Sequence, residues 1–507
     1  MTAEPTAAAH RLGLREVFFA LALLYVLPFW VVHHVPTVDG PCHTYNAWVL
    51  RQFSNVERYP LFQQFYEINL KPYPNWISHG TMALLMVAVP PPMAEKLLVS
   101  GYVLAFLFGA WYLAGAVRQG ERWLAFLAFP FAYHQLFQYG FYNFSISVAF
   151  FLIILGYWWR HRERPGPAFA VTVNLLLWLC YFSHILSFGL ALVAIAVLWL
   201  ATLRRETWKR HLRHVPILLP QLALPLWFFA RQGGGEVPAA WPLAQLVKYF
   251  VRLEALFALG EAQLWVGTAL AVVFLVLFVL SCRRGRGEEN AFLILALLFA
   301  ALYFLSPDGL AGGWLLKNRL SLYPFLLLIP WLSPRLGLRF GSRVEMGGAA
   351  VLVLSALLNL GYLIHGYRAL GATVDGYLAG LAPLHPNSRV LALTFERVGP
   401  TDVISHAIAY AALEKGGIDW DNYESKVPFF PVRFRDDIDY PDIPGVLWDP
   451  GSYRVRPNRD LVDALYLWKM PPENPLGARL RRNYTVTWDA AGGLLFERGI
   501  ERQPAAP

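Results

Sequence analysis

The chain has 507 residues, 56% of them hydrophobic and 15% charged, with a positive mean hydropathy. Soluble chains carry about a quarter charged residues, so the composition excludes an ordinary soluble domain and indicates a membrane protein. The net charge of +9 does not indicate a nucleic-acid partner, because the basic residues fall in short clusters between apolar runs, where they set orientation in a bilayer.

Cys42, Cys180 and Cys282 have no paired spacing, which argues against a disulfide framework or a cysteine-bound zinc. The tryptophans and tyrosines suit interfacial belts. After a polar start with Arg11 and Arg15, residues 17–32 are apolar. No small-residue cleavage site follows them, so they read as a retained anchor rather than a signal peptide. Further runs able to cross a bilayer are 93–117, 123–139, 144–159, 168–181, 185–203, 215–230, 264–281, 291–305, 320–332 and 346–367, giving about eleven spans. Several fall short of the ~20 residues that a lipid-exposed helix needs, so they are expected inside the bundle or beside a wet cavity. Residues 76–89, ending in Pro90-Pro91-Pro92, are expected as a helix lying in the interface, with a twelfth span as the competing reading.

Arg118 and Arg122; Arg160, Arg162 and Arg164; Arg204, Arg205, Lys209, Arg210 and Arg213; Arg283, Arg284 and Arg286; and Arg335, Arg339 and Arg343 occupy every second connection. By the positive-inside rule that side is cytoplasmic, which puts the amino terminus inside and the carboxyl terminus outside. The chain therefore divides into a transmembrane domain, 1–367, with a first outer loop at 36–92, and an extracytoplasmic α/β domain, 368–507. In the second part, 389–395 reads as a buried strand and 402–415 as a helix closed by Gly416-Gly417. Residues 484–488 and 494–497 read as a hairpin. There is no internal repeat and no nucleotide fingerprint.

With this topology the suspicious polar residues gather at one membrane face. Asp39 and His43 lie in Val38-Asp39-Gly40-Pro41-Cys42-His43, where a helix starting near Pro41 puts His43 one turn along. His79, His134, Tyr142, Asn143, His184, Asp308, Lys317 and Arg319 join them as cavity-lining candidates, since ionisable groups at membrane depth tend to be functional. Each has a plainer reading. Asp39 can shape a turn or cap the following helix, and His43 can be an interfacial polar residue. His134 and His184 can donate to backbone carbonyls between helices. Lys317 and Arg319 run against the orientation rule, which a phosphate partner explains, with lipid headgroup contact as the alternative. The loop around Asp39 is expected to be wet.

The arrangement resembles the integral-membrane glycosyltransferases of the GT-C superfamily, the group of protein O-mannosyltransferases and of aminoarabinose and oligosaccharide transferases. The likeness lies in the architecture of the whole chain. In sequence it is short, namely Asp39 in Val-Asp-Gly-Pro-Cys-His and Arg319 before a late span. It implies transfer of a sugar from a polyprenyl-phosphate donor to a lipid, glycan or protein acceptor in the cell envelope, at the outer face of an inner (plasma) membrane. Asp39 and His43 would be catalytic, with Lys317 and Arg319 on the donor phosphate and a divalent metal ion as a candidate cofactor. Many members carry two adjacent acids in this loop, whereas here Gly40 follows Asp39, leaving His43 or Asp308 as candidates for the second place. Two other classes compete. A transporter would show inverted repeats and midplane polar groups, neither of which is present. A non-catalytic scaffold with a degenerate transferase fold is separated from an enzyme by geometry, since only an enzyme requires Asp39, His43, Lys317 and Arg319 to line one cavity.

Overall fold

The computed structural model describes residues 13–231, 240–282, 287–309, 313–334, 341–443 and 449–498, with the backbone alone for 341–345. Arg11, Arg283, Arg284, Arg286, Gly312, Arg335 and Arg339, and the side chain of Arg343, lie outside this range.

Among the described residues, five helices are long and apolar enough to cross a membrane: Pro91–Val117, Tyr142–His161, Trp208–Phe229, Ala262–Cys282 and Met346–Ala379. Shorter apolar helices are Pro167–Ser183, Ile185–Ala201 and Asn290–Leu305. Leu226, Phe229, Trp265, Leu275, Val351 and Leu358 are exposed, an outward apolar surface that a water-soluble molecule does not maintain but a bilayer accommodates.

The other expected spans are irregular. Residues 17–32 break at Tyr25 into Leu14–Leu24 and Leu27–Trp30, ahead of Pro28. The stretch read as a span at 123–139 is a tight 3₁₀ winding, Gln119–Tyr133, with Pro130 inside it, followed by one α turn, Gln135–Gln138. Proline removes a backbone donor, and the winding holds because Leu124 to Phe129, Phe131 and Ala132 are all buried among neighbouring helices. Pro216, Pro220 and Pro225 likewise divide Trp208–Phe229 into shorter turns. Residues 320–332 become Leu316–Leu320 and Tyr323–Trp331. Residues 76–89 carry a helix of 9 residues, Ile77–Leu85, too short to cross a bilayer.

The two ends of the bundle differ. At one end, Arg118 pairs with Glu289 at 2.6 Å, and Arg162 and Arg204 both pair with Glu288 at 2.6 and 2.5 Å. Connections that the charge alternation assigned to one side thus meet at one face. At the opposite end of Pro91–Val117 sits a five-stranded sheet in the order Ile418–Asp419, Arg389–Thr394, Ala464–Trp468, Gly493–Glu497, Thr485–Ala490. The first three strands are parallel and the last two antiparallel. The helix expected over 402–415 starts only at Ile408 and closes at Gly416, whose φ of 68° is the left-handed geometry of a helix terminator.

Two hydrophobic cores result. The long helix Gly341–Ala379 joins them, with Leu363 and Tyr367 in the helical core and Val374 and Tyr377 in the second. The first connection also enters the second core through Tyr45, Val49, Tyr59, Phe62 and Tyr66. A two-stranded antiparallel ladder pairs Tyr66 with Phe434 and Ile68 with Val432. The segment carrying Asp39 and His43 is thereby packed against the sheet domain, more than 300 residues away in sequence.

Candidate active site

Asp39 stands at the start of the helix Gly40–Gln52, with Pro41 in the first turn, but its side chain makes no capping bond. Its backbone is held from the other side, where Val38 N donates to Gln138 O (3.2 Å) and Asp39 N to Tyr139 O (3.0 Å). Two glycines make this approach possible. At Gly140, with φ of 86°, a Cβ would lie 2.6 Å from the nitrogens of Asp39 and Gly40. At Gly40 a Cβ would lie 2.3 Å from Thr37 Oγ1, 2.4 Å from the Tyr142 hydroxyl and 2.6 Å from Glu95 Oε1. The space that a second loop acid would need is therefore filled, in part by a carboxylate that the helix Pro91–Val117 supplies. Glu95 is itself satisfied by the hydroxyls of Tyr142 (2.7 Å) and Tyr410 (2.6 Å).

The sheet domain supplies the partners of Asp39. Tyr423 O–H donates to Oδ2 at 2.8 Å, and His406 Nε2 lies 3.7 Å from Oδ1. His406 is oriented through Nδ1, 2.9 Å from Asp421 Oδ2. Burial alone would lower the pKa of the His406 ring, but Asp421, Asp39 and Asp419 outweigh it and lift it to about 9, so the ring is a cation at neutral pH. Burial lifts the Asp39 carboxyl to about 6, against the pull of the His406 charge and the Tyr423 hydrogen bond. The expectation of a wet loop is thus corrected, since Asp39 is only 6% exposed. It sits on the wall of a cavity, pressed there by the sheet domain.

That cavity has a volume of about 840 Å³. Asp39, His43, His406 and Tyr423 form its polar end, Asn75 and Asn143 lie along it, and Arg319 and His184 are on the same wall system. The remaining surface is apolar, from the start of Ile185–Ala201, from Phe228 and Phe229, from Trp314 and Leu315, and from Phe429 and Phe430. The Arg319 guanidinium lies over the rings of Phe141 and Phe144 at 5.1 and 5.7 Å, and its Nε is buried without a hydrogen bond. Among the described residues no carboxylate forms a salt bridge with it. A largely apolar pocket with a few convergent polar groups is the usual form of a small-molecule site.

Of the candidates read from sequence, the structure brings Asp39, His43, Asn143, His184 and Arg319 to this cavity. It places the others off the wall. Lys317 donates its ammonium to the carbonyls of Tyr303 (3.0 Å) and Phe304 (3.3 Å), at the end of Asn290–Leu305. Asp308 accepts from Lys317 N and from Trp241 Nε1, both at 3.2 Å. Tyr142 serves Glu95. Among the described residues His134 and His184 donate to no carbonyl. Each accepts a backbone N–H as a helix cap, His134 from Phe137 and His184 from Leu186. Asn143 accepts from Ser78 N (2.8 Å) and donates to Asn75 O (3.1 Å), fixing the start of the helix that carries His79. His406, Tyr423 and Glu424 were missed, because polar residues in a polar domain carry no signal. Glu95 was within reach, as an acid at the edge of an apolar run.

A divalent ion on Asp39 does not fit these residues. One oxygen already accepts a hydroxyl proton and the other faces a cationic ring, so positive charge is supplied by protein. A set of donors that does converge is His43, His79 and Glu424, whose ligand atoms all lie within 4.8 Å of one another.

No family model matches the chain. No curated protein matches it either. Among solved structures it is similar to a cryo-EM structure of the arabinofuranosyltransferase AftD from Mycobacteria, with a TM-score of 0.47 and 15% identity over 97% of this chain. The alignment covers 42% of that protein, so the chain matches less than half of its length.

Proposed function

We propose that this protein is a membrane glycosyltransferase of GT-C type, moving a sugar from a polyprenyl-phosphate donor to an acceptor hydroxyl at the outer face of the membrane. The observation that carries the reading is one cavity holding a buried acid, Asp39, and a buried cation with no salt bridge among the described residues, Arg319, between apolar walls. A phosphate carried on an isoprenoid chain needs that combination.

Each group has a role in the transfer. Asp39 takes the proton of the acceptor hydroxyl as its oxygen bonds to the anomeric carbon. The bond from that carbon to the phosphate oxygen breaks, and the electron pair leaves on the phosphate. A hydroxyl is a poor nucleophile, and a positioned base contributes about 10²–10⁴-fold. A carboxyl lifted towards neutrality by burial is a better proton acceptor than an exposed one. The departing phosphate gathers negative charge, which Arg319 stabilises in a site that excludes water. Tyr423 and His406 hold the carboxylate in place, and no step passes through a metal ion.

The test is transfer from radiolabelled polyprenyl-phosphate sugars by purified protein in lipid, wild type beside Asp39→Asn. Turnover that vanishes in the variant supports the class and the base. Full activity of the variant removes Asp39 from catalysis. Absence of turnover with every donor, in a protein shown to be folded, favours the scaffold reading.

A further inference from the structure

We propose that His43, His79 and Glu424 bind one divalent transition-metal ion of zinc-like preference, which fastens the sheet domain to the two helices beneath it. This site is separate from the Asp39 carboxylate and does not depend on the transferase reading.

Three donor side chains converge. His43 Nδ1 and His79 Nε2 are 3.1 Å apart, Glu424 Oε1 is 2.8 Å from the first, and Glu424 Oε2 is 2.9 Å from the second. Two imidazoles and a carboxylate around a zinc-like ion at about 2.0–2.2 Å would stand roughly 3.3 Å apart, so the trio is within a few tenths of an ångström of that triangle. All three side chains are buried, with 4% exposure for His43 and none for His79 or Glu424. Nitrogen and oxygen donors without thiolate suit zinc and its neighbours better than calcium or magnesium, which prefer all-oxygen sites.

Two independent features indicate that the centre of this triangle takes a cation. The first is the tautomer of His79. Its Nδ1 is 3.1 Å from the Asn75 carbonyl, an acceptor only, and 3.3 Å from Ser78 Oγ, which can also accept, so the geometry favours a proton on Nδ1. In the neutral ring Nε2 then presents a lone pair to the His43 nitrogen and to the Glu424 oxygen. A ring N–H bound to a backbone carbonyl is the usual device for aiming the other nitrogen at a metal. Asn143 Nδ2 donates to the same Asn75 carbonyl at 3.1 Å and so helps to fix it. The second feature is Glu424. Its Oε2 accepts from Asn46 Nδ2 at 2.7 Å, while Oε1 is buried with no aligned hydrogen bond. Meeting both carboxylate contacts with protons alone would make the His79 ring cationic and set the two ring N–H groups against each other across 3.1 Å. One divalent ion leaves both rings neutral and uses every converging lone pair.

The ligands come from Gly40–Gln52, Ile77–Leu85 and the turn Tyr423–Lys426. Glu424 neighbours Tyr423, which holds Asp39, so the ion would fix the height of the sheet domain over the cavity. It would be a positioning metal.

The test uses the full chain in lipid nanodiscs, loaded with zinc or cobalt and dialysed against metal-free buffer. Wild type is expected to retain about one equivalent, with X-ray absorption at the zinc edge showing imidazole scattering from two rings. Glu424→Gln and His79→Gln are expected to lose it. Asp39→Asn and Asp375→Asn are expected to keep it, the latter because a second, more exposed group, His33, His34 and Asp375, is not the site proposed. Chelation should lower the melting temperature of wild type. Should the Glu424 or His79 variants fail to fold, the wild-type absorption spectrum decides alone. Metal at background level in wild type overturns the proposal, as does full stoichiometry in folded Glu424→Gln or metal that follows Asp375.

Discussion

The first connection of the bundle and the late one at 306–319 are both rich in polar residues, yet they spend them differently. In the late connection, Lys317 and Asp308 are consumed close to home. The ammonium caps the carbonyls of Tyr303 and Phe304, and the carboxylate takes the Lys317 amide and the Trp241 indole. Among the described charged residues of this connection, Arg319 alone faces the cavity. In the first connection, the local bonds are made by backbone and by glycine contacts, so the side chains of Asp39, His43 and Asn46 all reach into the sheet domain. A buried ionisable residue becomes available for chemistry only when local structure does not already use its bonds.

The comparison breaks most visibly at Asp39. Asp39→Asn keeps the shape and the Tyr423 contact but removes the base, and transfer should fall by about 10²–10⁴-fold. Folding should persist, because His406 retains Asp421. A circular-dichroism melt beside the transfer assay checks both. Next in size is Gly140→Ala. A side chain there meets the Asp39 backbone and must adopt a positive φ. Displacing the acid by about 1 Å should cost about 10²-fold in turnover, and a normal rate would show that the 138–140 contact does not position it.

Arg319→Ala should weaken donor binding about tenfold or more, the scale of a lost charge-assisted contact, as read from the donor KM. His406→Gln sharpens the account through pH. A histidine lifted from 6.5 to about 9 on folding contributes stability that is full below 6.5 and is lost as pH rises through about 9. Wild type should therefore melt lower as pH climbs through that window, while the variant starts lower and stays flat. Parallel curves would contradict the ion pair. The smallest effect on function is expected from Lys317→Met, which should leave donor affinity unchanged. It should destabilise the fold by about 1–3 kcal/mol through two carbonyls left without a donor, a loss that thermal melts would report.

Much of this was legible in residue order. The apolar runs located the long helices, the strand at 389–394 lay in the stretch read as a buried strand at 389–395, the closing hairpin followed from alternation, and Asp39, Lys317 and Arg319 stood out among the ionisable groups gathered at one face. Less legible was anything decided by packing. The 3₁₀ winding of Gln119–Tyr133 depends on neighbours that tolerate it, and a run of apolar residues does not reveal its pitch. Lys317 and Arg319 are two residues apart and look equivalent in sequence, yet one turns to the end of the preceding helix, Asn290–Leu305, and the other to the cavity. His406, Tyr423 and Glu424 lie in a domain where polarity is ordinary. Their link to Asp39 and His43 spans more than 360 residues, which no local pattern encodes.

The most direct measurement is the equilibrium affinity of a polyprenyl phosphate for wild type, Arg319→Ala and Lys317→Met in nanodiscs of one lipid composition. The account predicts a loss of about tenfold or more for Arg319→Ala and wild-type affinity for Lys317→Met. Equal affinity in all three proteins, or a loss confined to Lys317→Met, would contradict the assignment of the cavity as the lipid-phosphate site.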